Sequence, residues 1–166
     1  MKHTKRVAFL GLTASLALIL SYVELLLPPI WTAVPGVKMG LPNIVIIFLL
    51  YKCTLKEAAT VSAVRLVLVA LLFGNAMTLA YSIAGALLSL LVMAGLKRTG
   101  AFSHVGVSIA GAVCHNLGQV LVAMVLLQTK EIGYYMLVLA VTGTLAGIVI
   151  GLAGSLLLKY TEKVRL

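Results

Sequence analysis

The chain has 166 residues, of which 62% are hydrophobic and only 10% are charged, and its mean hydropathy is +1.16. Apolar runs of membrane-spanning length recur along the chain, which excludes a soluble globular protein and predicts a single transmembrane domain over residues 1–166. The net charge of +9 does not indicate nucleic-acid binding, because the basic residues lie singly or in pairs between apolar runs.

Six apolar runs are candidate membrane spans. They cover roughly residues 7–27, 41–54, 57–73, 77–96, 104–128 and 132–158. The first follows three basic residues, as a signal peptide does, but it has no clear small-residue cleavage site and is expected to be a retained helix. The second is the shortest, and it either crosses the membrane or dips into it from the outer surface.

The distribution of lysine and arginine predicts the orientation. With the N-terminus in the cytoplasm, ten of these residues lie on the cytoplasmic side, Lys38 and Lys130 lie outside, and Arg65 lies within the third span. This asymmetry follows the positive-inside rule. We therefore expect an all-α integral membrane protein of the cell membrane, a bundle of six transmembrane helices with both termini cytoplasmic.

Small residues recur at a spacing of four in two of the spans, which allows close helix packing. In the last span they are Gly143, Gly147 and Gly151, for which we expect packing inside the bundle. In the first span two such pairs either pack internally or form a docking surface for a partner membrane protein. These pairs are Gly11 with Ser15 and Ala17 with Ser21.

The segment PGVKMGLPN, residues 35–43, connects the first two spans on the outer side. Prolines end the first helix before it and suit the start of the second, where a missing N–H costs little. Lys38 lies in its middle, and Gly36 and Gly40 would let backbone N–H groups approach an anionic ligand. The segment, which ends at Asn43, is either a plain connection or a lid whose cation faces a ligand.

Arg65 lies about 12 Å of helix from the cytoplasmic end of its span, farther than its side chain can snorkel. An arginine at that depth must face the bundle interior, water or a partner, so we expect a role in binding or in an internal polar network.

His115, Asn116 and Gln119 lie within five residues of the fifth span. His115 and Gln119 are one helical turn apart and share a face. The group forms either a binding wall or a set of hydrogen-bonded packing residues. No second histidine or carboxylate lies at metal-ligand spacing, and Cys53 and Cys114 form no CxxC pattern, so neither a metal nor a cofactor is predicted.

A rise of about 1.5 Å per residue places Tyr22, Glu24, Tyr81 and Gln119 at a similar depth, roughly 20–25 Å above the cytoplasmic boundary. We interpret this coincidence as a cavity that opens outwards beneath the segment of residues 35–43. Alternatively, Tyr22 and Tyr81 are ordinary interfacial aromatics and Glu24 is a solvated interfacial carboxylate.

Three stretches carry a resemblance to a known family: PGVKMGLPNI, YSIAGALLSLLVM, and HNLGQ preceded by SIAGAV. In this order they resemble the Gx transporter family, which is labelled heptaprenyl diphosphate synthase component I. That family in turn resembles the S-components of energy-coupling factor transporters. The resemblance implies six helices, an outward pocket capped by the loop after the first helix, and docking through small residues of the first helix. S-components often carry alanines four apart there, whereas this chain has glycine, alanine and serine.

The leading functional hypothesis is an S-component-like subunit that binds a small anionic molecule, vitamin-like or isoprenoid-related. Uptake would be energised by a coupling protein and ATPases, since the chain has no phosphate-binding GK[ST] loop of its own. The predicted substrate-binding residues are Tyr22, Gly36, Lys38, Gly40, Asn43, Arg65, Tyr81, His115, Asn116 and Gln119.

Two alternatives remain open at this level. The first is a membrane accessory subunit of a soluble prenyl diphosphate synthase. The second is a secondary transporter that works alone, with Glu24 or His115 as a proton carrier. An enzyme is not expected, because the chain contains no aspartate to hold magnesium against a diphosphate.

Overall fold

The computed structural model describes the backbone of residues 2–26 and 40–162 and the side chains of residues 4–26 and 40–162. Within these ranges the secondary structure is helical throughout. The α-helices are α1 (Lys2–Leu26), α2 (Asn43–Lys52), α3 (Leu55–Phe73), α4 (Ala76–Thr99), α5 (His104–Leu127) and α6 (Met136–Tyr160), and a short 3-10 helix, Lys130–Tyr135, leads into α6. The all-α prediction is confirmed, and each predicted span overlaps one α-helix.

Within the described residues, four helical segments are long and apolar enough to cross a membrane by themselves. They are Thr4–Leu26, Ala76–Thr99, His104–Leu127 and Lys130–Tyr160. The helix α3 is 19 residues long but carries Lys56, Glu57 and Arg65. The helix α2 has 10 residues, or about 15 Å, which is half of a hydrocarbon core of about 30 Å. The structure therefore supports a multi-pass membrane protein, and the count of six complete crossings stays a prediction.

The helix α2 is a buried element of the bundle. All of its residues from Val45 to Leu50 are buried, and a methyl group added at Gly154 of α6 would lie 2.6 Å from Ile47 Cγ2. The side chain of Lys97 donates a hydrogen bond to the Leu50 carbonyl. A cation at that position satisfies a carbonyl of the last turn, where the helix dipole is negative.

The basic ends of the helices meet at one end of the bundle. Arg6 of α1 forms an ion pair with Glu57 of α3. Lys52 donates to the Thr161 carbonyl, and the rings of Tyr51 and His104 stack edge to face at 4.3 Å. We call this the basic end: residues 4–6, 50–57, 97–104 and 159–162. It is the side that the charge distribution predicts to be cytoplasmic.

The glycines of α6 allow it to approach α5 closely. A methyl group on Gly147 would lie 2.6 Å from Ile109 Cα, and one on Gly151 would lie 2.7 Å from Val105 Cα. Real side chains do not tolerate such distances without a shift of backbone. The prediction that this glycine series packs inside the bundle is confirmed.

The small residues of α1 do not share one surface. Ala17 is fully buried and Ser21 is buried beside it on the inner face, so neither can contact a partner in the membrane. The assignment of these two residues to a docking surface is therefore corrected. Gly11 and Ser15 are exposed, and a methyl group on Gly11 would meet nothing within 4 Å. A docking role for this pair stays a prediction.

Candidate ligand-binding site

A cavity of about 90 Å³ lies in the bundle beyond the N-terminal end of α2, and every α-helix contributes to its wall. The volume holds a few water molecules or one small polar group. Its polar side chains are those of Ser21, Glu24, Asn43, Arg65, Ser82, His115, Asn116 and Gln119. A cavity with this lining inside an apolar bundle is a candidate binding site.

The structure brings together six of the ten residues predicted to bind substrate. They are Gly40, Asn43, Arg65, His115, Asn116 and Gln119, and all of them line the cavity. Lys38 and Gly36 lie outside the described residues. The wall therefore forms from segments that are far apart in sequence, and it includes polar residues of the apolar predicted spans.

The two predicted tyrosines lie elsewhere. Tyr22 is exposed and packs its ring on that of Phe73, with the centroids 5.2 Å apart. Tyr81 is half-buried, and its hydroxyl has no hydrogen-bond partner among the described residues. Neither residue lines the cavity, and depth along a helix does not specify the face from which a side chain projects.

Three polar residues of the wall were not among the predicted ligands: Ser21, Glu24 and Ser82. Ser21 and Glu24 are one turn apart on α1, and this spacing places them on one face. Ser82 precedes the buried residues Gly85 and Ser89 of α4 at helical spacing. Those periodicities were the available signal for the inner faces of α1 and α4.

Arg65 is the most unusual residue of the cavity. It is 7% exposed, and its Nε has no hydrogen-bond acceptor in the part of the chain that the structure describes. Glu24 attracts it electrostatically. A buried guanidinium is costly unless acceptors reach its fork of donors, and Arg65, which lines the cavity, is a candidate contact for an acceptor that enters it.

Glu24 binds the backbone just before the start of α2. Its carboxylate accepts a hydrogen bond from the Gly40 N–H, and Gly40 has a φ of +74° that favours glycine. The next turn closes by hydrogen bonds from the N–H groups of Asn43 and Ile44 to the carbonyls of Gly40 and Leu41, at 2.8 and 3.1 Å. The N-terminal end of α2, where the helix dipole is positive, therefore lies beside the carboxylate.

A close crossing of α4 and α5 builds the opposite wall. A methyl group on Gly118 would lie 2.7 Å from the Ala84 carbonyl oxygen, and one on Gly85 would lie 3.0 Å from both His115 Nε2 and Gln119 Cγ. The YSIAG and HNLGQ stretches therefore meet at this crossing. Their glycines bring His115 and Gln119 against α4, beside Ser82.

Asn116 lines the cavity and also connects two helices. Its Nδ2 donates a hydrogen bond of 2.9 Å to the Leu139 carbonyl of α6. It lies over Gly143, where an added methyl group would be 2.8 Å from the same nitrogen. Asn116 therefore fixes α5 against α6.

No group of three or more potential metal ligands occurs among the described His, Cys, Asp and Glu side chains. The polar groups that line the cavity are amides, hydroxyls, one imidazole, one carboxylate and one guanidinium. This set suits hydrogen bonding to an organic ligand better than coordination of a metal.

The sequence profile of the heptaprenyl diphosphate synthase component I family matches residues 13–157. The chain belongs to this family. The match confirms the resemblance inferred from the three motifs, and it includes every residue of this component I protein that lines the cavity. No curated protein and no solved structure matches the chain.

Proposed function

We propose that this component I protein is a membrane-embedded binding subunit for a small molecule that carries an anionic group. The observation behind the proposal is the cavity itself, whose lining includes the buried Arg65. A guanidinium recognises carboxylates and phosphates through paired hydrogen bonds, and such bonds are strongest away from water. Asn43, His115 and Gln119 supply the neighbouring polar contacts.

The proposed role is binding rather than catalysis. The chain contains no aspartate and no GK[ST] loop, so neither magnesium-assisted diphosphate chemistry nor ATP hydrolysis has its usual residues. If the bound molecule is taken up into the cell, a coupling protein and ATPases must supply the energy. Gly11 and Ser15, exposed on α1, are the contact that we propose for such a membrane partner.

The family match favours a second candidate function, that of a membrane accessory subunit of a prenyl diphosphate synthase. The name component I implies a further component. In this reading the basic end is the surface that would receive a soluble enzyme, since Lys56, Arg98 and Lys159 are exposed there. The cavity would then hold a small anionic molecule that regulates or feeds that enzyme.

Purification from its own membrane, followed by native mass spectrometry, tests the proposal and separates the two candidates. We expect a bound small molecule on the wild type. Its occupancy should fall at least about tenfold in Arg65→Gln and stay unchanged in Arg98→Gln, the matched control at the basic end. A coupling protein with ATPases among the co-purified subunits favours uptake. A soluble prenyl diphosphate synthase favours the accessory role, and a wild type without any bound molecule contradicts the binding role.

A further inference from the structure

Two side chains of opposite charge face the same cavity. Glu24 comes from α1 and Arg65 from α3, and both line the wall. They attract each other, yet they do not form a direct ion pair. Within the described residues, the pair that lies within ion-pair distance is Arg6 with Glu57, at the basic end. A carboxylate and a guanidinium therefore line the same cavity without forming a direct ion pair.

Each of the two charges keeps capacity for a ligand. Glu24 accepts a hydrogen bond from the Gly40 N–H, close to the N-terminal end of α2. A carboxylate has lone pairs for several donors, so one such bond does not saturate it. Arg65 has a buried Nε for which the described residues provide no acceptor.

The charge balance of the wall restricts the ligand. Among the described side chains of the wall, one carboxylate and one guanidinium carry opposite charges; Lys38 lies outside the described residues and is not part of this comparison. In so small a cavity, an anion without a cation of its own lies close to Glu24 as well as to Arg65. It would leave net charge in a medium of low dielectric, which is costly.

We propose that the ligand is dipolar, with an acidic group that binds Arg65 and an ammonium or another positively charged donor that binds Glu24. This inference rests on the proposed function and narrows the substrate class from anions to molecules that carry both charges. Ser21, one turn before Glu24 on the same face of α1, lines the cavity next to the positive group. Asn43 and Gln119 complete the polar contacts.

Matched probes test the charge pattern on the full chain in phosphatidylcholine nanodiscs. Glycine, β-alanine and γ-aminobutyrate are dipolar and differ in length. Acetate, propionate and butyrate lack the ammonium, and the corresponding alkylamines lack the acid. We expect at least one dipolar probe to raise the thermal unfolding midpoint at a concentration at least about tenfold lower than its single-charge counterparts require.

Variants assign the effect to the two side chains. We expect Glu24→Gln and Arg65→Gln each to weaken the apparent affinity for that dipolar probe about tenfold or more. Glu131→Gln and Arg98→Gln, which remove exposed charges outside the cavity, should leave it unchanged.

Three outcomes would overturn the inference. They are equal responses to acids and dipolar probes, unchanged or tighter binding in Glu24→Gln, and no response to any dipolar probe. The proposed binding function fails separately, when native mass spectrometry finds no bound molecule on the wild type. If a molecule is bound and proves to be purely anionic, the binding function stands and the dipolar ligand does not.

Discussion

Arg65 and Tyr81 each bury a polar atom that has no partner among the described residues. The two atoms have different consequences. Arg65 is charged and lines the cavity, and its guanidinium is the group that we propose to contact a ligand. The Tyr81 hydroxyl is neutral and lies outside the cavity lining, so its burial costs stability without contributing to the site.

Removal of the Tyr81 hydroxyl provides a test at the scale of one atom. We expect Tyr81→Phe to leave ligand binding unchanged and to raise the free energy of unfolding by up to about 1 kcal/mol, because a buried hydroxyl without a partner is removed. Thermal unfolding in detergent measures the effect. Tyr160→Phe, which alters a ring that is 81% exposed, is the control and should change nothing. A clear loss of stability or binding in Tyr81→Phe would show that the hydroxyl has a partner.

At the scale of the elements, the packing of α5 and α6 depends on the absence of side chains. Gly147 brings the Ile109 backbone to within 2.6 Å of where a Cβ would lie, whereas Gly95 on α4 has open space around it. Both glycines lie within helices, so the same substitution has opposite consequences at the two positions.

We expect Gly147→Ala to destabilise the protein by about 1–3 kcal/mol, since the backbone of α5 must move to admit the methyl group. Gly95→Ala should be neutral or stabilising by up to about 1 kcal/mol, because alanine favours the helical state. Thermal unfolding of both variants in the same detergent makes the comparison. Equal stability of the two variants would contradict the close approach of α5 and α6.

The local sequence of α2 does not determine whether this helix spans the membrane or lies buried in the bundle. Its run NIVIIFLLYK has no polar face, which is typical both of a membrane span and of a buried core helix. Thr54 decides its length, because it forms a capping box with Glu57 that starts α3 immediately afterwards. The short turn between α2 and α3 then sets the N-terminal end of α2 about half a membrane thickness from the basic end.

At the scale of the whole molecule, the basic end collects the starts of α1, α3 and α5 and the ends of α2, α4 and α6. Contacts such as Lys97 with Leu50 and Lys52 with Thr161 cross between these helices. The charge distribution predicts that this end faces the cytoplasm. The structure places these basic residues together, and chemical labelling tests which side of the membrane they face.

Single cysteines in a background of Cys53→Ala and Cys114→Ala test the orientation in intact cells. A membrane-impermeant thiol reagent should label Glu131→Cys, beside α6, and should not label Arg98→Cys at the basic end until the cells are opened. Both positions are exposed in the structure, so access to the side chain does not limit the reaction. Labelling of Arg98→Cys in intact cells would reverse the predicted topology.

The sequence by itself determined the class of protein, the positions of the helices and much of the polar wall. Unpaired charges and amides are costly in a bilayer. Polar side chains in apolar spans therefore indicate a buried polar site, and in this chain they are Arg65, His115, Asn116 and Gln119. The same reasoning selected Tyr22 and Tyr81 by depth, which is a coordinate along a helix and does not specify a face.

Only the tertiary structure decided which faces meet. It turned Ala17 and Ser21 inwards, placed Glu24 and Arg65 in the wall of one cavity, and placed the N-terminal end of the half-length helix α2 at that cavity. These outcomes depend on how glycines such as Gly118 and Gly147 let α4, α5 and α6 approach one another. Contacts between helices are non-local, and the period of a single helix records that a face is small or polar but not which face it packs against.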